Sequence, residues 1–223
     1  MAEETKISVD EMTENGVHLG HRTSKLHPSM EEFVVGIKNT VHIINLEKTK
    51  EFFEKALDYI EKESPKLMIV GTKIPLQKLV KEMAQEANTP YVTARWLGGT
   101  FTNFTVIKKR AQYYKDLQQK KETGELEKYT KKERIQKEKE LQDLSTKFEG
   151  IQDLENLPDA VFICDIVKDD LALKEAQMKG VKTIAIVDTN ADISQVDYPI
   201  PANDDAISSV KYILEKVVSV IKK

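Results

Sequence analysis

Three short runs of this 223-residue chain are apolar throughout: LMIVG at 67–71, AVFIC at 160–164 and TIAIV at 183–187. A strand with one wet face alternates polar and apolar residues. A strand with no polar position must be covered on both faces, the condition of a parallel sheet between two layers of helices. YVT at 91–93 and YPI at 198–200 are two shorter strand candidates. The segments between read as helices: 75–87, opened by Pro75 in its first turn; 169–179, closed by Gly180; and 204–222, capped by Asn203. Strand–helix alternation with short links predicts a doubly wound α/β fold.

One crossover is too long for that scheme. More than sixty residues rich in Lys, Glu and Gln separate the strands at 93 and 160. Within them Phe104, Ile107, Ala111, Tyr114 and Leu117 recur at helical spacing, as do Leu141, Leu144, Phe148 and Ile151 on the return. Gly124 marks the turn, and Thr130 with Glu133 reads as a capping box. The pattern predicts an antiparallel helical hairpin, a coiled-coil arm whose seam is apolar near the body and polar at the tip. The expected division is an α/β domain over 1–103 and 151–223 with the hairpin inserted at 104–150.

The N-terminal part is less regular. Ser8 and Glu11 read as a capping box for a short helix that Gly16 ends, and FVVGI and TVHII flank a turn at Lys38-Asn39 as in a β-hairpin. Leu46, Phe53, Leu57 and Ile60 define a helix over about 45–62. Between 18 and 28 lies an irregular loop carrying Arg22 and Lys25.

The stretch YVTARWLGGTFTNFTVIKKR at 91–110 joins a strand end, a glycine pair and a basic helix start. Glycine permits the positive φ of a tight turn, and Thr102-Asn103 suits a helix cap. Arg95 and Trp96, the chain's only tryptophan, therefore fall at one edge of the sheet, where open α/β folds hold their ligands.

Net charge is −3, but it is unevenly spread. Residues 105–150 hold thirteen bases against nine acids, and residues 151–223 hold eight against thirteen. A polyanion could be met only through part of such a surface. No run reaches the ~18 apolar residues of a membrane span, and no apolar leader is visible. With a single cysteine, Cys164, in an apolar run, the composition points to the cytoplasm.

Catalytic signatures are missing. Gly71-Thr72-Lys73 resembles the tail of a phosphate loop without its first glycine, and no dinucleotide fingerprint or nucleophile elbow occurs. His18, His21, His27 and His42 lack a cysteine partner for zinc, so hydrogen bonding or phosphate contact is expected of them. Asp165, Asp188 and Asp205 stand at strand ends, where a Mg²⁺-dependent phosphohydrolase could use them. Strand termination and helix capping account for each acid individually. A scaffold docking on other proteins through the hairpin is a further competing reading.

Long blocks resemble one family. GVHLGH (16–21), VHIINLEKT (41–49), VGTK (70–73), YVTARWLGGTFTN (91–103), PDAVFICD (158–165) and VDTNADISQVDYPIPANDD (187–205) are similar, in order, to the blocks of the bacterial small ribosomal subunit protein S-two family. The resemblance covers nearly the whole chain. It implies a flavodoxin-like sheet with a helical-hairpin insertion and no enzymatic activity. The residues themselves give no reason to expect a cofactor, a metal site, a small-molecule substrate or membrane contact. The implied partners are small-subunit ribosomal RNA and neighbouring small-subunit proteins, including ribosomal protein S-one. Carried onto this chain, the expected RNA-binding residues are Arg22, Lys25, Arg95, Trp96, Lys108, Lys109 and Arg110, with the Trp96 ring packed so as to orient Arg95.

Overall fold

The computed structural model describes residues 7–222, so the acidic residues at 3 and 4 and Lys223 lie outside the described part. In chain order the elements are α1 (Val9–Glu14), β1 (Leu19–Arg22), β2 (Val34–Lys38), β3 (Val41–Ile44), α2 (Leu46–Glu63), β4 (Leu67–Val70), α3 (Gln77–Glu86) and β5 (Tyr91–Val92). Then follow α4 (Phe104–Glu122), α5 (Lys131–Phe148), β6 (Ala160–Ile163), α6 (Asp170–Lys179), β7 (Lys182–Val187), β8 (Tyr198–Pro201) and α7 (Ile207–Ile221).

The five expected strands form one parallel sheet in the order β5-β4-β6-β7-β8. Counted from β4, that is the 2-1-3-4-5 order of flavodoxin-like folds. Alternation divides each strand between the two faces. Leu67, Ile69, Phe162, Ile184 and Ile186 pack with α2, α3 and α7 in one core. Met68, Val70, Val161, Ile163, Ala185 and Val187 pack in the other with α6 and the roots of α4 and α5. The apolar runs follow from this double coverage.

A smaller antiparallel sheet, β1-β3-β2, carries the expected hairpin. Its turn sits one residue later than the sequence suggested, at Asn39 and Thr40, whose φ of 50° and 65° are those of a type I′ connection.

The long crossover is a helical hairpin. Tyr113 Oη donates to Glu140 and Lys108 Nζ to the Glu155 carbonyl, so α4 and α5 run antiparallel. Ile107, Ala111, Tyr114, Leu117, Leu141, Phe148 and Ile151 are buried, while Phe104 and Leu144 are half-buried. The Thr130–Glu133 capping box forms, and Gly124 takes φ +74°. Towards the tip Leu126 is nevertheless buried, so the tip has a small apolar closure that the polar composition hid.

Two expected side-chain caps do not form, and a third is displaced. The side chains of Ser8 and Asn103 make no capping hydrogen bond, and α7 begins at Ile207 behind Ala206, three residues beyond the start expected from the sequence. Asn203 instead accepts from Asp205 and Ala206 N–H in a turn ahead of the helix, and its own amide reaches back to the Gly16 carbonyl. Only Asn203 combines a local turn with a tertiary partner.

Candidate nucleic-acid interface

In this strand order the crevice available to a ligand opens between the carboxyl ends of β4 and β6, where the connections leave in opposite directions. Here the protein's own side chains occupy it. Thr72 N–H and Oγ1 donate to Asp169. Lys73 Nζ lies 2.8 Å from Asp165 Oδ2, Asp204 Oδ1 and Asp205 Oδ1. Asp165 also accepts from Val167 and Lys168 N–H, ending β6 as a turn former.

Beside this cluster, His21 Nδ1 is 3.1 Å from Asp188 Oδ2 and Nε2 is 3.4 Å from Asp205 Oδ2. Thus Asp165, Asp188 and Asp205, each explicable alone as a strand end or cap, converge on two shared side chains, the Lys73 ammonium and the His21 imidazole. The reading of each acid in isolation missed this, because Lys73 and His21 come from distant parts of the sequence. Burial, then the charges of Asp165 and Asp188, push the Asp204 carboxyl up to about 7 against the pull of Lys73. Burial opposes the charge on Lys73, yet the surrounding carboxylates outweigh it and hold the ammonium above its usual value. The hydrogen bond to Asp188 raises His21, and the one from Lys73 lowers Asp205. His21, Asp204 and Asp205 are the grouping of donors among the described residues able to hold a cation, their ligand atoms lying within 4.8 Å of one another. Burial pushes the Cys164 thiol up, which fits an inert core residue rather than a nucleophile.

The N-terminal segment packs across this edge; its first part, expected to be irregular, is instead strand β1, held by antiparallel pairing with β3. His27 N–H donates to the Thr189 carbonyl, His21 N–H to Thr189 Oγ1, and Ile193 N–H to Ser29 Oγ. The approach is close: a Cβ on Gly20 would stand 2.6 Å from Thr189 Cγ2. Arg22 and Lys25 are thereby carried over the sheet's rim with exposed side chains.

The glycine turn follows β5. Trp96 is 5% exposed, edge-on to Phe101 with ring centroids 4.9 Å apart. Its ring belongs to the core, so it supports a surface and is not itself one. Gly99 takes φ +92°, a conformation disfavoured for any residue with a side chain. The turn is tied to α6 by Glu175, which the sequence alone places only within the helix expected over 169–179. The Glu175 carboxylate accepts from Trp96 Nε1, the N–H groups of Gly99, Phe101 and Thr102, and Thr102 Oγ1. Arg95, one residue before the buried ring, is exposed.

Lys108, Lys109 and Arg110 are exposed on the first turns of α4. Lys108 is partly engaged through the Glu155 carbonyl at 2.9 Å. Arg22, Lys25, Arg95, Lys109 and Arg110 make no salt bridge among the described residues, although Lys25 is near enough to Asp205 to help lower its pKa. In the acidic C-terminal third, by contrast, Lys174, Lys182 and Lys211 are paired with Asp170, Asp197 and Glu215.

Comparison with known proteins places the chain closely. The family model described as ribosomal protein S2 matches residues 12–223. Three proteins described as small ribosomal subunit protein uS2 are similar over nearly the full chain. That of Marinobacter nauticus is 39% identical over 215 residues, 95% of this chain and 86% of its own length. That of Fusobacterium nucleatum is 40% identical over 219 residues, 96% and 89%. That of Dictyoglomus thermophilum is 41% identical over 218 residues, again 96% and 89%.

Proposed function

The chain belongs to the ribosomal protein S2 family, and we propose that, as a structural constituent of the small ribosomal subunit and not an enzyme, it holds ribosomal RNA with the unpaired cations at its sheet edge and arm root. The observation that carries this reading is the distribution of uncompensated charge. Among the described residues Arg22, Lys25, Arg95, Lys109 and Arg110 are exposed without salt-bridge partners, whereas five of the seven described lysines of the acidic third, all but Lys168 and Lys179, are paired with carboxylates of the protein. A cation left unpaired on a folded surface keeps its full capacity to displace counterions from phosphate. Lys108 contributes from the same helix, and Trp96 contributes by fixing the loop.

The crevice at the switch point argues in the same direction. Lys73, Asp165 and Asp169 fill the place where a flavodoxin-like fold would admit a cofactor. The sheet edge is thus a platform that anchors loops.

Residues 104–150 form the arm in this proposal, with a 19-residue α4 extending about 28 Å at 1.5 Å per residue. Contact with neighbouring small-subunit proteins through the exposed Tyr129 and Ile135 belongs to the same proposal. Contact with protein S-one rests on the family resemblance alone. Residence in the cytoplasm follows from assembly into ribosomes; no described helix is long and apolar enough to cross a membrane.

The test is assembly. A tagged copy expressed in bacteria should co-sediment with small subunits on a gradient. The variant lacking the positive charges of Arg22, Arg95, Lys109 and Arg110 should shift towards the top as salt is raised. A native chain that stays at the top of the gradient at low salt overturns the proposal.

A further inference from the structure

The amides of the glycine turn point inward at one spot. The N–H groups of Gly99, Phe101 and Thr102 lie 2.7, 2.9 and 3.1 Å from the Glu175 carboxylate, Thr102 Oγ1 lies at 3.2 Å and Trp96 Nε1 at 3.4 Å. Converging backbone donors ahead of a helix make the kind of concavity that receives phosphate in other folds. Here the anion is internal. Glu175 is 4% exposed and comes from α6, on the far side of the crossover. Burial works against its charge, but the amides of Gly99, Phe101 and Thr102 with the Trp96 indole hold the carboxyl below its usual range. It is therefore ionised at neutral pH, as five donors require.

We propose that Glu175 is a positioning residue for RNA binding, its carboxylate standing where a phosphate would stand in the turn and thereby fixing Arg95 and the start of α4 for contact with phosphate outside. Glu175 touches no RNA. With these amides engaged, the turn offers RNA a guanidinium and no backbone cradle. Exposure of Arg95 next to the buried Trp96 follows directly: the indole is held from below by Glu175 Oε1, and the preceding side chain points outward. The inference rests on the RNA-binding reading above.

Trp96 is the only tryptophan, so its fluorescence reports this turn and nothing else in the chain. Glu175→Gln preserves the size but presents an NH2 group to N–H donors. The variant is expected to keep its far-UV circular dichroism, to red-shift Trp96 emission and to admit acrylamide quenching. Binding to small-subunit RNA should weaken several-fold, with the salt slope falling by about 0.9, the share of one phosphate contact. Arg95→Ala should produce the same loss of slope, and combining the two should add little. Acetate should restore emission and affinity to Glu175→Ala, whereas chloride at equal ionic strength should not.

Unchanged Trp96 emission in Glu175→Gln overturns the proposal. So does a shifted emission with an unaltered salt slope, an outcome that leaves RNA binding through Lys109 and Arg110 standing. Failure of the native chain to bind RNA removes the functional reading itself, and this inference with it. Should Glu175→Gln not fold, Thr102→Val removes one donor of the five and is expected to give smaller changes of the same sign; none at all counts against the proposal.

Discussion

Lys73 and Asp204, 131 positions apart, meet with Nζ 2.8 Å from Oδ1 at the carboxyl edge of the sheet. The same ammonium serves Asp165 and Asp205, so one cation closes the ends of β4, β6 and β8 together. Breaking a buried pair by removing one partner leaves an uncompensated charge, which costs about 3–5 kcal/mol. Lys73→Met should lose stability of that order in urea denaturation. Adding Asp204→Asn to Lys73→Met should recover part of it, and a double variant no more stable than the single one would show that the carboxylate was never the problem.

Asp204 also sets a dependence on pH. Its carboxyl is raised in the fold to about 7 from an ordinary value of 3.8, so the folded state binds the proton more tightly than the unfolded one. Such a group favours folding most below pH ~4 and loses that contribution as pH rises through about 7. Replacing it with Asn should flatten the stability profile between pH 4 and 7. The depressed carboxyls of Glu175 and Asp205 act oppositely, with stability present above the normal carboxylate range and lost as pH falls through their lowered values. Calorimetric scans of both proteins across this range provide the comparison.

Trp96→Ala should cost about 3–5 kcal/mol, because a fully packed indole leaves a cavity that its surroundings fill only in part. Trp96→Phe should lose less, retaining the contact with Phe101 while giving up the donor to Glu175. Thermal melts measure both, and an unchanged Tm for the alanine variant would place the ring outside the core.

Gly20 tests the seating of β1 on the edge of the large sheet. An added methyl group would stand 2.6 Å from Thr189 Cγ2 and 2.9 Å from its Oγ1. Gly20→Ala should destabilise by about 1–3 kcal/mol through overpacking. Thr189→Ala in the same chain should relieve the clash, though it also removes the acceptor for His21 N–H. If denaturation shows no gain from the second substitution, the pressure is not against Thr189.

RNA affinity should record which cations are free. Removing Lys109 and Arg110 with Lys108 should flatten the dependence of log affinity on log salt by about two to three units, nearer two because Lys108 is held by the Glu155 carbonyl. Lys222 pairs with Glu86 at the opposite end, and its removal should leave the slope nearly unchanged. Equal losses from both ends, read in filter-binding titrations, would mean that total charge and not its placement governs binding.

What the sequence determined by itself was everything carried by period and by local backbone demand. Apolar runs without polar interruption could only be doubly covered strands, and their alternation with helices ordered the layers. The 3–4 spacing of Ile107, Ala111, Tyr114 and Leu117 made the hairpin seam legible because helical neighbours are near in sequence. Thr130 with Glu133 formed its box for the same reason. Family blocks located Arg95 and the arm root. Tertiary structure alone decided which polar groups meet. Glu175 reaches the glycine turn across more than seventy residues, and Lys73 and His21 gather acids from β6, β7 and β8. Hydrogen bonding and charge pairing act over a few ångströms in space with no periodic trace in the chain. For that reason the acids at the sheet edge read as separate caps until the parallel strands aligned their ends.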